Sequence, residues 1–165
     1  MAEERNQTYM EPDKVISGTQ GSIWVKYSDD DSRYCFARAI NIEAKAKINV
    51  SALPVLGKTG KMHKPSGWEG TGTMKMYYCD STQREKVLQY KKTGKLATME
   101  IEVYNDDAGS NMTQQATTLK NCLIDEIVLA KIDAEAEYLS EDATFTFDDF
   151  DISSTFEYGR GDDDE

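Results

Sequence analysis

Between Ile40 and Val50 the chain alternates without a break. Ile40, Ile42, Ala44, Ala46, Ile48 and Val50 are apolar, while Asn41, Glu43, Lys45, Lys47 and Asn49 are polar. Successive side chains of a strand point to opposite faces, so this run gives a strand one packed face and one wet face, whereas on a helix a period of two would scatter the apolar residues around the axis. The strand is read from Arg33 to about Val50, well beyond the roughly five to six residues of an ordinary strand. A strand that long with a single dry face needs partners along its whole length. The chain is therefore expected to be mainly β.

The same period recurs elsewhere. Ile23 to Tyr27 forms a short apolar strand that ends in the turn Ser28-Asp29-Asp30-Asp31-Ser32. Thr71 to Cys79 makes another, and Ala97 to Tyr104 alternates Met99, Ile101 and Val103 with Glu100 and Glu102. Longer strands are read from about Gln115 to Ile132 and from Glu135 to Phe150, the latter closing on Phe145 and Phe147. The expected core thus contains Ile40, Ile42, Met99, Ile101, Val103, Phe145 and Phe147. One helix stands apart, over residues 81–93. Thr82 and Glu85 have capping-box spacing, Val87, Leu88 and Tyr90 offer a narrow apolar face, and Lys91, Lys92 and Gly94 suit its C-terminal end.

Residues 51–70 interrupt the pattern with four glycines and two prolines, and are read as a long inter-strand loop. Loops that meet only water do not need Leu53, Val55, Leu56, Met62 and Trp68. The segment either folds back on its own core or orders against another subunit, and the number of large apolar side chains favours the second reading. Lys58, Lys61 and Lys64 lie among them.

Charge is unevenly spread. The net charge of −11 argues against a protein that coats nucleic acid. From Asp133 to Glu165 thirteen acids face Arg160 alone, which leaves residues 1–132 near neutral. Lys45 to Lys95 carries eleven bases against three acids. This is the pattern of a solvated acidic end, or of copies that meet head to tail.

Catalysis finds little support. His63 is the one histidine and has no ligand types beside it; Cys35, Cys79 and Cys122 are scattered and read as reduced core thiols. The aspartate-rich turns lack EF-hand spacing, and Gly70-Thr71-Gly72-Thr73 precedes a strand, whereas dinucleotide loops follow one. No enzyme activity, metal or cofactor is expected. The polar first residues and the lack of an apolar run of about 18 residues suit a protein made in the cytoplasm.

Three motifs occur in order: Ile16-Ser17-Gly18-Thr19-Gln20-Gly21 before a short strand; Gly57-Lys58-Thr59-Gly60-Lys61-Met62-His63-Lys64 running through Gly67 to Glu69-Gly70-Thr71-Gly72-Thr73; and Ala143-Thr144-Phe145-Thr146-Phe147-Asp148-Asp149-Phe150-Asp151. Together, over roughly residues 16–152, they resemble the tail tube proteins of contractile tails in Gram-positive prophages and of phage-tail-like bacteriocins. The resemblance implies two packed antiparallel sheets, a β-sandwich or partial barrel, flanked by one helix, with a long inter-strand loop. It implies a tail-tube domain over 16–152, with an N-terminal extension over 1–15 and an acidic tail over 153–165. It also implies hexameric rings stacked into a hollow tube within a sheath, found in the virion tail. Its partners would be further copies of itself, the tail sheath, the tape measure and the baseplate and terminator proteins. DNA would pass through the bore without specific binding, and the subunit would not bind a membrane. The loop residues Leu53, Val55, Leu56, Lys58, Lys61, Met62, Lys64 and Trp68 would then lie between subunits. Acidic bores in the family make Asn41, Glu43, Glu100 and Glu102 candidates for lining it, with Lys45 and Lys47 as departures. A type VI-like tube and a monomeric β-sandwich binding module are the competing readings.

Overall fold

Eight strands, one α-helix and a short 3-10 turn (Pro12–Lys14) occupy the chain in a computed structural model that describes residues 11–159. The strands are β1 (Gly21–Tyr27), β2 (Arg33–Cys35), β3 (Ala39–Leu53), β4 (Met62–Tyr77), β5 (Met99–Asn105), β6 (Gln115–Ile127), β7 (Ser140–Phe147) and β8 (Asp149–Ser154), and the helix is α1 (Thr82–Thr93). All pairings are antiparallel. They run in the order β2-β1-β5-β6-β7-β4-β3, with β8 also on β6.

This one network packs as two sheets because β6 belongs to both. Its first half, Ala116 to Lys120, lies between β5 and β8, and Leu123 to Ile127 pairs with β7. At the change-over Asn121 takes a left-handed φ of 54°, a conformation asparagine tolerates better than most residues. Beside it the Asp148 N–H donates to the Lys120 carbonyl at 3.2 Å, where β7 gives way to β8. The expected strand over Glu135–Phe150 is therefore two strands, and the expected strand to Ile132 ends at Ile127.

The core lies between the sheets. Val25, Tyr27, Met99, Ile101 and Leu119 come from the first sheet. Met74, Met76, Ala143, Phe145 and Phe147 come from the second, and Phe36 and Cys122 complete the cluster. Ile42 and Val103 are half-buried against it. Ile40 is a correction: a register shift between Ala39 and Asn41 takes it out of alternation and leaves it exposed. The expected strand from Arg33 is also broken, since Phe36 turns into the core between β2 and β3. The cysteines divide as well: Cys122 is buried, which pushes its thiol up to about 12, but Cys35 and Cys79 are exposed.

The glycines of β4 are explained by their partners on β7. Gly70 pairs with Phe147 and Gly72 with Phe145, and each aromatic ring lies across its glycine. A Cβ at either position would come closer than 3.0 Å to three ring atoms. Because Phe145 is fully buried, its ring has nowhere to go. Gly72→Ala is expected to destabilise the fold by about 1–3 kcal/mol, read as a lower denaturant midpoint with an unchanged slope.

The largest difference from expectation is at residues 51–70. Strand pairing does not stop at Val50 but continues to Leu53 opposite Met62, so only Pro54–Lys61 is an irregular turn. Beyond Gly70 the second sheet narrows to β3 and β4 alone, with no core beneath them. On the β4 side of this ladder the alternation is lost, whereas β3 keeps it to Val50 although Ala44, Ala46, Ile48 and Val50 are exposed in the single chain. Gly67, at a φ of 148°, and Pro65 flank the second bulge of this hairpin.

The expected patternless end at 153 also shifts. β8 runs to Ser154, and Tyr158 bridges Met112, while residues 160–165 of the acidic tail lie outside the described residues.

Candidate assembly surface

Helix α1 is seated by charge rather than by its apolar face. Leu88 and Tyr90 are exposed, and the fully buried helix residue is Gln83. Arg84 does most of the anchoring. Its Nη2 donates to Glu141, Nε donates to the Val128 carbonyl at 3.0 Å and Nη1 to the Asp80 carbonyl at 2.6 Å, and the guanidinium lies 4.1 Å from the centre of the Tyr78 ring. Glu141 is 2% exposed. Burial pushes its carboxyl above the ordinary glutamate value against the opposing pull of Arg84 and Arg38. Lys86 pairs with Asp29, and Arg38 with Asp80. The Thr82–Glu85 capping box does not form. Instead Asp80 accepts from the Thr82 N–H at 2.9 Å and from its hydroxyl at 2.8 Å, while Gly94 ends the helix in the left-handed region. Among the described residues no cluster of His, Cys, Asp or Glu could hold a metal ion.

The β3–β4 hairpin is the most exposed apolar surface. Ile48, Val50, Leu53, Val55, Met62 and Trp68 are exposed, and Leu56 is fully so. Ile48 and Val50 lie on one face of the hairpin and Leu53 and Met62 on the other, and together they are more exposed apolar surface than a monomeric protein usually presents. Lysines 45, 47, 58, 61 and 64 lie along it with no acid between Ala44 and Trp68. Trp68 differs from the other loop candidates, because its ring already leans on this chain's own Phe150 at 5.4 Å and Phe147 at 6.1 Å. It pins the root of the hairpin, whereas Leu53, Val55, Leu56, Lys58, Lys61, Met62 and Lys64 belong to its outer part.

The four bore candidates do not share a face. Glu43 pairs with Thr73, and Asn41 with Lys75, on the outer side of the second sheet. Glu100 and Glu102 pair with Lys26 and Trp24 on the outer side of the first. The two inner sides meet at the core, so these outer sides point in opposite directions. Glu102 is also engaged, accepting from Arg33 and from the Tyr104 hydroxyl at 2.8 Å, while Arg33 stacks over Trp24.

The second sheet's outer face carries Lys75 opposite Asp142 and Lys47 opposite Glu69, with the Lys45 amine 3.2 Å from Glu43. Glu126 lies opposite Thr144, whose hydroxyl donates to Asp125. This sheet has two open edges, the outer side of β3 and the far half of β6, which have no further partner among the described residues.

Residues 8–153 match the family model described as phage tail tube protein. The chain belongs to the phage tail tube protein family. It is a structural, non-enzymatic subunit of a tail tube, at home in a virion or tail-like particle. Among its relatives, the phage-like element PBSX protein XkdM of Bacillus subtilis is 28% identical over 84% of this chain and 90% of its own length. The uncharacterized protein YqbM of the same organism is 29% identical over the same shares. In fold, the tail tube subunit is similar to a chain of the anti-feeding prophage baseplate, solved with six-fold symmetry. The TM-score is 0.64, at 11% identity, covering 87% of this chain and 97% of that one. It is also similar to the SPP1 tail tube, with a TM-score of 0.60 at 11% identity, covering 90% and 81%. The monomeric binding-module reading gives way to the family.

Proposed function

We propose that copies of this subunit close into six-membered rings by joining their second sheets edge to edge, and that the rings stack into a hollow tube. The outer edge of β3 in one copy meets the far half of β6 in the next. Closure of this kind removes two edges that would otherwise invite uncontrolled pairing. The bore is lined by the second sheet's outer face, with Asn41 and Glu43 among its residues, and Glu100 and Glu102 lie on the outside. One observation supports this: Lys45, Lys47 and Lys75 on that face each have a carboxylate opposite or beside them, whereas Lys64, further out on the hairpin, faces Ser51. Asp125 and Glu126 leave the face acidic. Along the body of that face a polyanion meets lysines already matched by carboxylates, so it slides rather than sticks. Lys45 and Lys47 therefore belong to the lining without gripping DNA.

Outside the tube a contractile sheath is the natural partner, since solved relatives in fold include a sheath–tube complex of an extracellular contractile injection system. Tape measure, baseplate and terminator proteins would meet the tube at its inside and its ends. Negative-stain electron microscopy of the purified full chain is expected to show hollow filaments with six-fold cross-sections. Monomers at every concentration, or solid filaments, would overturn the proposal.

A further inference from the structure

The two open edges of the second sheet differ in length. The far half of β6 ends at Ile127, opposite Ala143, whereas β3 runs for 15 residues from Ala39 to Leu53. Beyond Ile127 the chain continues Val128-Leu129-Ala130-Lys131-Ile132, a run with strand-forming aliphatic residues that stops at Asp133. Among the described residues this run has no strand partner. It is nevertheless held against α1 and β7. The Val128 carbonyl accepts from Arg84 Nε at 3.0 Å, and the Lys131 amine donates to the Ser140 carbonyl at 2.8 Å. Leu129 is 66% exposed and Ile132 96%. The β3 edge is just as unfinished. Ala44 and Ala46 lie on its inner side, opposite Gly72 and Gly70, and both are exposed.

Barrel geometry sets which residues of two such edges meet. Rotation about a ring axis keeps every copy the same way up, and β6, β7, β4 and β3 alternate in direction. A β3 edge therefore meets the neighbouring copy's β6 antiparallel. Within one copy, a line across the ladder joins Ile127, Ala143, Met74 and Ile42. Strands of a closed barrel tilt by about 35–45°. Four strands at about 4.8 Å make a copy about 19 Å wide, so the line advances by about four to six residues from one copy to the next. An odd advance would turn one face over. Of the even ones, an advance of about four residues sets Glu126 opposite Lys47, and one of about six sets it opposite Asn49. Advance in the other direction takes Glu126 to the start of β3, away from its lysines. The pairing with Lys47 is favoured, because it places that lysine between Glu69 of its own β4 and Glu126 of the neighbouring copy.

We infer that residues 128–132 become a continuation of β6 when the ring closes, paired in this register with β3 of the neighbouring copy, so that Leu129 lies opposite Ala44 and Val128 opposite Lys45. The occupant is a second copy because β3 and β6 are opposite edges of one sheet, which a single chain cannot join to each other. On the inner side Ile127 and Leu129 then lie beside Ala46 and Ala44, two alanines that the single chain leaves in water. The added ladder roughly doubles the length of edge that each copy offers its neighbour.

This extension rests on the ring reading above, and the two can fail separately. Hydrogen exchange of the full chain is compared between assembled tubes and subunits dispersed at low concentration. The amides of residues 128–132 are expected to exchange at least about a hundredfold more slowly in tubes. In a second arm, Ala44→Cys with Leu129→Cys is mildly oxidised in assembled tubes, since opposed positions on neighbouring strands lie about 4.5–5.5 Å apart at Cβ. A ladder of cross-linked multimers that stops at the hexamer, and is missing from each single variant, is expected. Equal exchange in the two samples, no ladder, or a ladder that runs past the hexamer would overturn the extension, while hollow six-fold tubes would leave the ring reading standing. A wild type that stays monomeric overturns both.

Discussion

Replacing Arg84 with alanine is expected to cost the subunit about 3–5 kcal/mol, because it leaves the Glu141 carboxylate buried without its charge partner. That is a large part of the roughly 5–15 kcal/mol that holds a domain folded. The same change removes two hydrogen bonds to backbone carbonyls and the stacking on Tyr78, so α1 loses its main attachment. Glu141→Gln is the milder change: its amide oxygen still accepts from Arg84, whose other contacts remain. The pH dependence separates the charge effect from simple loss of packing. A carboxyl whose folded value lies above its unfolded one contributes stability below the unfolded pKa and loses it as pH rises through the folded pKa. Without Arg84 the folded value of Glu141 rises further. The deficit of the alanine variant is therefore smallest on the acid side and grows toward neutrality. Urea denaturation of both variants at about pH 5 and pH 7.5 measures this; a deficit independent of pH would assign the loss to packing alone.

What could be read from the residues depended on whether a core lay beneath them. Met99, Ile101, Phe145 and Phe147 sit on strands with one face on that core, so alternation marks them directly. Ile40 has the same pattern and fails because a bulge leaves no trace in periodicity. The hairpin stem from Met62 to Gly70 escaped because Pro65, Gly67 and a bulge interrupt it, whereas β3 opposite keeps its period although Ile48 and Val50 are exposed. Its unusual content was still visible as large apolar residues among lysines without acids. Most of segment 128–139 falls within the strands read to Ile132 and from Glu135, yet its Leu129 and Ile132 are exposed and it has no strand partner among the described residues. Helix docking through Gln83 and Arg84 was hidden because an amphipathic search weighs apolar residues. Pairing of Gly70 and Gly72 with Phe147 and Phe145 did leave a signal, two alternating runs with glycine and phenylalanine at the same spacing. The opposed directions of Glu43 and Glu102 could emerge only once the strands were assigned to sheets.

Shortening the hairpin should abolish polymerisation while leaving a stable subunit. The cut is set by the register. Trp68, Gly70 and Gly72 belong to the body through Phe147, Phe150 and Phe145, so removal must stop short of them. Replacing residues 50–66 with an Asn-Gly turn joins Asn49 to Gly67, which already face each other across the ladder. Nothing removed belongs to the core cluster, and the deleted surface is exposed in the single chain. The variant is therefore expected to unfold at a temperature close to that of the wild type and to stay at the size of a single subunit or ring. The proposed tube would bury the exposed tip against another copy, at about 25 cal/mol for each Å² of apolar surface removed from water. In the proposed six-membered rings six such contacts would act together at every junction, so losing all six is far more severe than losing one. Size-exclusion chromatography with light scattering, alongside electron microscopy, provides the measurement. Normal tubes from the shortened chain would show that the rings adhere through their bodies.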